Sequence, residues 1–259
     1  MKKYIFLLAL LSFSSTVYAE KLTIDSDNSL KWYKDEQKIV ANGNAVARKK
    51  DNFLKGDTLT AYYEKVQLED ETQKNQIQKI ISYGHVKLET PDSKGEGVYF
   101  EYNLPLKTAV FKGNPARLEN KMGEISATES ITYYGAENKS IAIGDVIAHN
   151  PDYTVYADKM ISYFDEDKNG KKRLNRVEIF ATTKPVKIIN DQATVTGQRG
   201  TYFPIENKLK IFENVTINQK GDILKGDFAE TDLNTGISRL IATKKNSRVT
   251  GLFHNKKKK

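Results

Sequence analysis

The chain has 259 residues, no cysteine and a formal charge of +8. That length allows one large or two ordinary domains with a sizeable core; the missing thiols exclude disulfide staples, zinc–thiolate sites, redox pairs and cysteine nucleophiles. The basic balance suits an acidic partner (a phosphorylated glycolipid, an anionic membrane surface or nucleic acid), although Lys256 to Lys259 also read as a solvated tail.

In chain order, Met1 to Lys3 form a short basic region, Tyr4 to Leu11 an apolar run, and Val17 to Ala19 a small-residue cleavage site. This layout predicts a secretory signal peptide over residues 1–19, cleaved after Ala19. The apolar run is too short to span a bilayer, and no later segment approaches the roughly 20 apolar residues of a transmembrane helix. With no cysteine at the cleavage site, a lipoprotein anchor is not available. The expectation is an exported, soluble protein.

Lys21 to Asp25 alternate as a first short strand. A pattern then recurs six times. Its first part is a glycine-type turn and an alternating strand: Gly43 to Ala47, Gly84 to Leu88, Gly113 to Leu118, Gly144 to Ala148, Lys184 to Ile188 and Glu213 to Ile217. Its second part is an apolar residue followed two positions later by a small one: Gly56, Gly97, Ala127, Ala157, Gly197 and Gly226. Most of these second parts reach an aromatic near the strand end: Tyr62, Tyr102, Tyr133, Tyr163 and Tyr202. Short strands punctuated by turn residues predict an all-β fold with at most a single helical turn. Polar inserts at residues 69–76 and 165–173 read as long surface hairpin loops. No linker rich in Pro, Gly or Ser divides the chain, so one repeat domain over 20–245 followed by a basic tail, 246–259, is the simplest division.

Side chains alternate across a strand. The paired set Ala45/Ala47, Val86/Leu88, Ala116/Leu118, Val146/Ala148, Val186/Ile188 and Val215/Ile217 should point inward, with Lys87, Arg117 and Lys187 among the residues facing solvent. The small second-part residues mark bends that fold each strand pair around a corner. Many inward positions are alanine, which leaves either two tightly packed sheets or room for a guest.

The repeated array resembles the OstA-like β-jellyroll family, the LptA-type lipopolysaccharide transport proteins of the periplasm. Leu22 to Asp27 are similar to its opening strand, Gly43-Asn44 with Leu54 to Asp57 to its first repeat, and Ile223 to Asp227 with Gly236 to Ala242 to its closing strands. The resemblance implies an elongated twisted β-jellyroll that carries lipopolysaccharide through the periplasm, its acyl chains lying between the sheets against the paired inward residues. Leu22 and Ile24 would lie at the N-terminal edge. It also implies edge-strand pairing with inner-membrane-tethered and outer-membrane relatives and a head-to-tail homo-oligomer, with no cofactor. The chain is longer than typical periplasmic members, and Pro115 and Pro185 would sit at bulges.

No catalytic constellation emerges. His85, His149 and His254 are scattered, and the acidic runs Glu69 to Glu71 and Asp165 to Asp167 lie in polar inserts without sugar-stacking aromatics. Asp165 to Gly170 superficially resembles a calcium loop but has Arg176 where the bidentate glutamate belongs. Export argues against nucleic acid. The expectation is therefore a carrier rather than an enzyme; a secreted β-solenoid enzyme or adhesin acting on polysaccharide is the alternative, and a scaffold with a filled core a third reading.

Overall fold

The structure, a computed structural model, describes residues 22–67, 73–168, 172–243 and 247–253. The strands that open the chain are β1 (Thr23–Asp25), β2 (Ser29–Tyr33), β3 (Lys38–Lys49), β4 (Asn52–Gln67), β5 (Gln73–Glu89) and β6 (Ser93–Asn103). Shorter strands follow: β7 (Thr108–Lys112), β8 (Ala116–Asn120), β9 (Gly123–Ala127) and β10 (Ser130–Tyr134), then a 3-10 turn at Gly135–Glu137. Next come β11 (Lys139–His149), β12 (Thr154–Glu166), β13 (Lys172–Phe180), β14 (Val186–Ile189), β15 (Ala193–Gly197) and β16 (Arg199–Phe203). The last are β17 (Lys208–Gln219), β18 (Asp222–Asp232), β19 (Ser238–Ile241) and β20 (Thr250–Leu252). The fold is all-β and antiparallel, and it forms two compact units: 22–121 with 126–140, and 122–125 with 141–253.

In the N-terminal unit one layer contains, in order, β2, the first half of β3, the second half of β4, the first half of β5, the second half of β6, β7 and β10. The other layer contains β1, the remaining halves of β3 to β6, and β8. The long strands thus belong to both layers. What carries them across is not a chain reversal. Gly43-Asn44 and Gly84-His85 all have positive φ, and the register slips at these pairs, between Asn42 and Ala45 and between Tyr83 and Val86. These two glycine steps, expected as turns, are two-residue bulges inside continuous strands, which bend the strand and increase its twist. Asn42-Gly43, a dipeptide that usually marks a turn, lies inside β3.

The C-terminal unit repeats the plan. The second half of β12, β13, β16, the first half of β17, the second half of β18 and β19 make one layer. Residues 154–156 of β12, β14, β15, the second half of β17, the first half of β18 and β20 make the other. The bulge in β17 is Glu213-Asn214, both at positive φ. In the third and fifth copies the bent strand is replaced by two short ones, β7/β8 and β13/β14. Pro115 and Pro185 immediately precede β8 and β14, where a missing N–H removes nothing from the ladder, so they sit in connections and not at bulges.

The polar inserts are not loops throughout. β4 and β5 remain paired out to Gln67↔Gln73, and β12 and β13 out to Glu166↔Lys172. Residues 68–72 and 169–171 at their tips lie outside the described residues, as do the signal-peptide segment, His254 and the lysine run.

Small residues stand where backbone meets backbone or side chain across the corner. A Cβ on Gly56 would lie 2.2 Å from the Ser82 hydroxyl, and one on Gly97 would lie 2.6 Å from the Lys112 carbonyl. On the outer face of the N-terminal unit, Tyr33, Lys38, Tyr62 and Lys79 form one cross-strand row, with ammonium groups 4.9 Å from the Tyr33 ring and 4.7 Å from the Tyr62 ring. Such pairs stabilise neighbouring strands laterally.

Candidate functional site

The twelve paired residues expected to point inward, from Ala45 to Ile217, are all buried, while Lys87, Arg117 and Lys187 between them are exposed. Strand register brings five of the outer members into one row per unit: Ala47, Leu88 and Leu118 in the N-terminal unit, Ile188 and Ile217 in the C-terminal one. In the N-terminal unit the row runs Ile24–Ala47–Leu54–Leu88–Gly95–Leu118. In the C-terminal unit it runs Val155–Ile188–Val195–Ile217–Leu224–Gly251. The inner members face the small residues: Ala45 opposite Gly56, Val86 opposite Gly97, Val186 opposite Gly197 and Val215 opposite Gly226. Ala116 and Val146 are likewise fully buried, and Leu22 and Ile24 are half-buried at the N-terminal edge.

The two interiors differ because the facing layer differs. In the N-terminal unit that layer presents Ala41–Leu59–Ser82–Phe100–Phe111–Ile131, with the two phenyl rings 5.2 Å apart. Phe111 reaches across to Gly95 and Gly97, within about 3 Å of where their Cβ atoms would be. The corresponding row of the C-terminal unit is Met160–Ile179–Gly200–Ile211–Ala229–Leu240. Glycine and alanine stand there where the N-terminal unit has larger side chains.

A cavity of about 310 Å³ lies between the layers of the C-terminal unit. Of the sequence-predicted residues, Ala148, Ile188 and Ile217 line it. The facing layer adds Met160, Ile179 and Leu209, which the inward pairs did not include. The signal for them was the second apolar alternation in each copy, after the small residue. Polar groups appear at the hairpin ends: Asn190, Gln192 and Gln219 on one layer, Thr231 and Ser238 on the other. Tyr153 and Tyr202 also line the cavity and meet edge to face at 6.2 Å; burial, then the neighbouring Tyr202, pushes the Tyr153 phenol well above the ordinary tyrosine value. A mostly apolar hollow with a few neutral polar groups at its rim has the usual make-up of a ligand pocket.

The aspartate after three of the small residues fastens a neighbouring corner. Asp57 lies 2.9 Å from Nδ1 of His85; Asp158 accepts the Thr182 and Thr183 N–H groups at 2.5 and 2.6 Å; Asp227 accepts the Thr243 N–H at 2.8 Å. The Thr183 N–H, followed by that of Thr182, holds the Asp158 carboxyl below its usual value. His149 instead contacts the Thr154 hydroxyl at 2.8 Å. No group of three or more acidic or histidine side chains poised to hold a metal occurs among the described residues.

A bent antiparallel sheet whose long strands serve both layers, around an apolar interior, defines a β-jellyroll of the OstA-like type. The chain belongs to the LptA/(LptD N-terminal domain) lipopolysaccharide transport protein family, which matches it twice, over residues 23–139 and 124–237. Among solved structures it is similar to LptH, the LptA-homologous periplasmic component of the conserved lipopolysaccharide transport device of Pseudomonas aeruginosa. The identity is 16%, the TM-score 0.43, and the match covers 51% of this chain and 94% of that one. No curated protein matches the sequence.

Proposed function

We propose that this protein is a non-enzymatic carrier of lipopolysaccharide in the periplasm, exported by a signal peptide cleaved after Ala19. The repeat region from 20 to 245 acts as a bridge segment, pairing edge strands with membrane-tethered relatives or with further copies of itself. The paired inward residues form the apolar interior, and acyl chains lie between the layers, held by removal of apolar surface from water at roughly 25 cal/mol per Å². The observation that carries this reading is the 310 Å³ cavity in the C-terminal unit, lined by Ala148, Ile188 and Ile217. Transport along such a surface is passive, so direction is supplied by an energised partner.

The test is lipid capture by the mature chain starting at Glu20. Purified protein analysed by mass spectrometry should carry lipopolysaccharide stoichiometrically. A photoreactive residue at Ile188 should crosslink to the acyl region, and one at the exposed Lys187 should not. Protein free of lipid under all conditions, or crosslinking from Lys187 alone, refutes the carrier.

A further inference from the structure

The last described strand, β20, folds back onto the sheet of the C-terminal unit. β20 pairs with the start of β18 through Lys225↔Thr250, Leu224↔Gly251 and Ile223↔Leu252. The segment before it is fastened by Asp227, which accepts the Thr243 N–H and the Ser247 hydroxyl. This attachment is slight. All three residues of β20 are exposed, and Leu252 and Phe253 keep 56% and 70% of their surface in water. A three-residue strand gains few ladder bonds against the entropy of ordering it.

β20 also ends the outer-member row of the C-terminal unit with a residue that has no side chain: Val195–Ile217–Leu224 is followed by Gly251. At the opposite end of the chain, β1 is equally short and opens the equivalent row of the N-terminal unit with Ile24, which pairs with Ala47. Laid in the place of β20, the sequence Thr23-Ile24-Asp25 sets threonine opposite Lys225 as Thr250 does, and isoleucine beside Leu224, where Gly251 has no side chain and the largely exposed Phe253 ring lies over the gap, 2.8 Å from where a Cβ would stand.

We infer that β20 is an intramolecular placeholder: it occupies the C-terminal sheet edge that β1 of a second copy takes when β20 is displaced. The inference rests on the edge pairing proposed above and adds its regulation. The incoming strand extends the apolar row across the junction, through Ile217 and Leu224 of one copy into Ile24 and Ala47 of the next. β20 restrains that assembly by competing for the same backbone groups of Ile223 to Lys225. Exchange of one edge strand for another is β-augmentation with an internal competitor.

The chain has no cysteine of its own, so an engineered bridge is unambiguous. The double variant Lys225→Cys/Thr250→Cys, oxidised, ties β20 to β18 at exposed positions that face each other; a second variant deletes 247–259. Sedimentation over a concentration series should show the oxidised variant monomeric, its reduced form matching wild type, and the deletion associating at roughly ten-fold lower concentration. Adding Ile24→Asp to the deletion should return it to monomer. Equal association of the oxidised and reduced forms, or a deletion that associates no more readily than wild type, overturns the placeholder. Association of the deletion that survives Ile24→Asp overturns β1 as the occupant. Lipid content measured on the same samples separates these outcomes from a failure of the carrier itself: a lipid-loaded deletion that stays monomeric refutes only the placeholder.

Discussion

Gly56→Ala places a methyl group 2.2 Å from the Ser82 hydroxyl, with the Tyr83 and Gly84 carbonyls at 3.2 Å. Ser82 is fully buried and donates to the Lys55 carbonyl at 3.1 Å, so its oxygen cannot move aside without losing that bond. Overpacking of this kind costs about 1–3 kcal/mol, more than the roughly 0.4–1 kcal/mol that alanine gains by restricting the unfolded chain. Ser82→Ala alone should cost about 0.5–1.5 kcal/mol for the lost hydrogen bond. In the double variant the clashing oxygen is gone, so the combined loss should fall short of the sum by about 1 kcal/mol. The sole tryptophan, Trp32, donates to the Tyr63 hydroxyl at 2.6 Å within the same unit, and its fluorescence follows urea unfolding of that unit. At a urea slope of about 1–3 kcal/mol per molar, a 2 kcal/mol loss moves the midpoint by roughly 1 M. Strictly additive losses, or an unchanged midpoint for Gly56→Ala, would show that the corner is not set by this contact.

Three further outcomes follow from the packing. Val195→Phe projects a ring into the C-terminal cavity and should abolish lipid loading, read by mass spectrometry, while far-UV circular dichroism stays unchanged; full loading would place the lipid elsewhere. Phe111→Ala removes a buried ring packed between the layers of the N-terminal unit and should cost about 3–5 kcal/mol in the Trp32-monitored urea titration; a loss below about 1 kcal/mol would mean that the interior collapses onto the site. Because Asp158 titrates below the ordinary carboxylate value when folded, its contribution is fully present above about pH 4 and is lost as the pH falls further toward the depressed folded value. Asp158→Asn should therefore flatten the acid limb of the melting-temperature profile below pH 4, and an unaltered limb would count against the clamp.

Much of the architecture was legible in period-two alternation, because a half-buried strand must repeat its apolar residues on one face. That argument placed Ala45/Ala47 through Val215/Ile217 inside. Local pattern did not distinguish a reversal from a bulge at Gly43-Asn44, since both need left-handed backbone; the difference is set by the partner strand, where Asn42↔Thr58 resumes as Ala45↔Gly56. Nor did it show how the N-terminal interior is packed, since that depends on Phe111 meeting Gly95 and Gly97 from the other layer. Asp57, Asp158 and Asp227 stood in plain view after their small residues, but their role appears only when the next corner is brought beside them.

The strands that run through both layers have a mechanical consequence. β17 and β18 act as a covalent spine along the bulged corner of the C-terminal unit, while the hairpin tips bearing Gln219 and Ser238 stand away from it at the rim of the cavity. Parting those tips by a small swing about the spine would admit a chain from the side without severing a ladder, as the leaves of a book part while the binding holds. For the carrier proposed above, sideways entry through such an opening is then the expected route for an acyl chain, with no threading from one end.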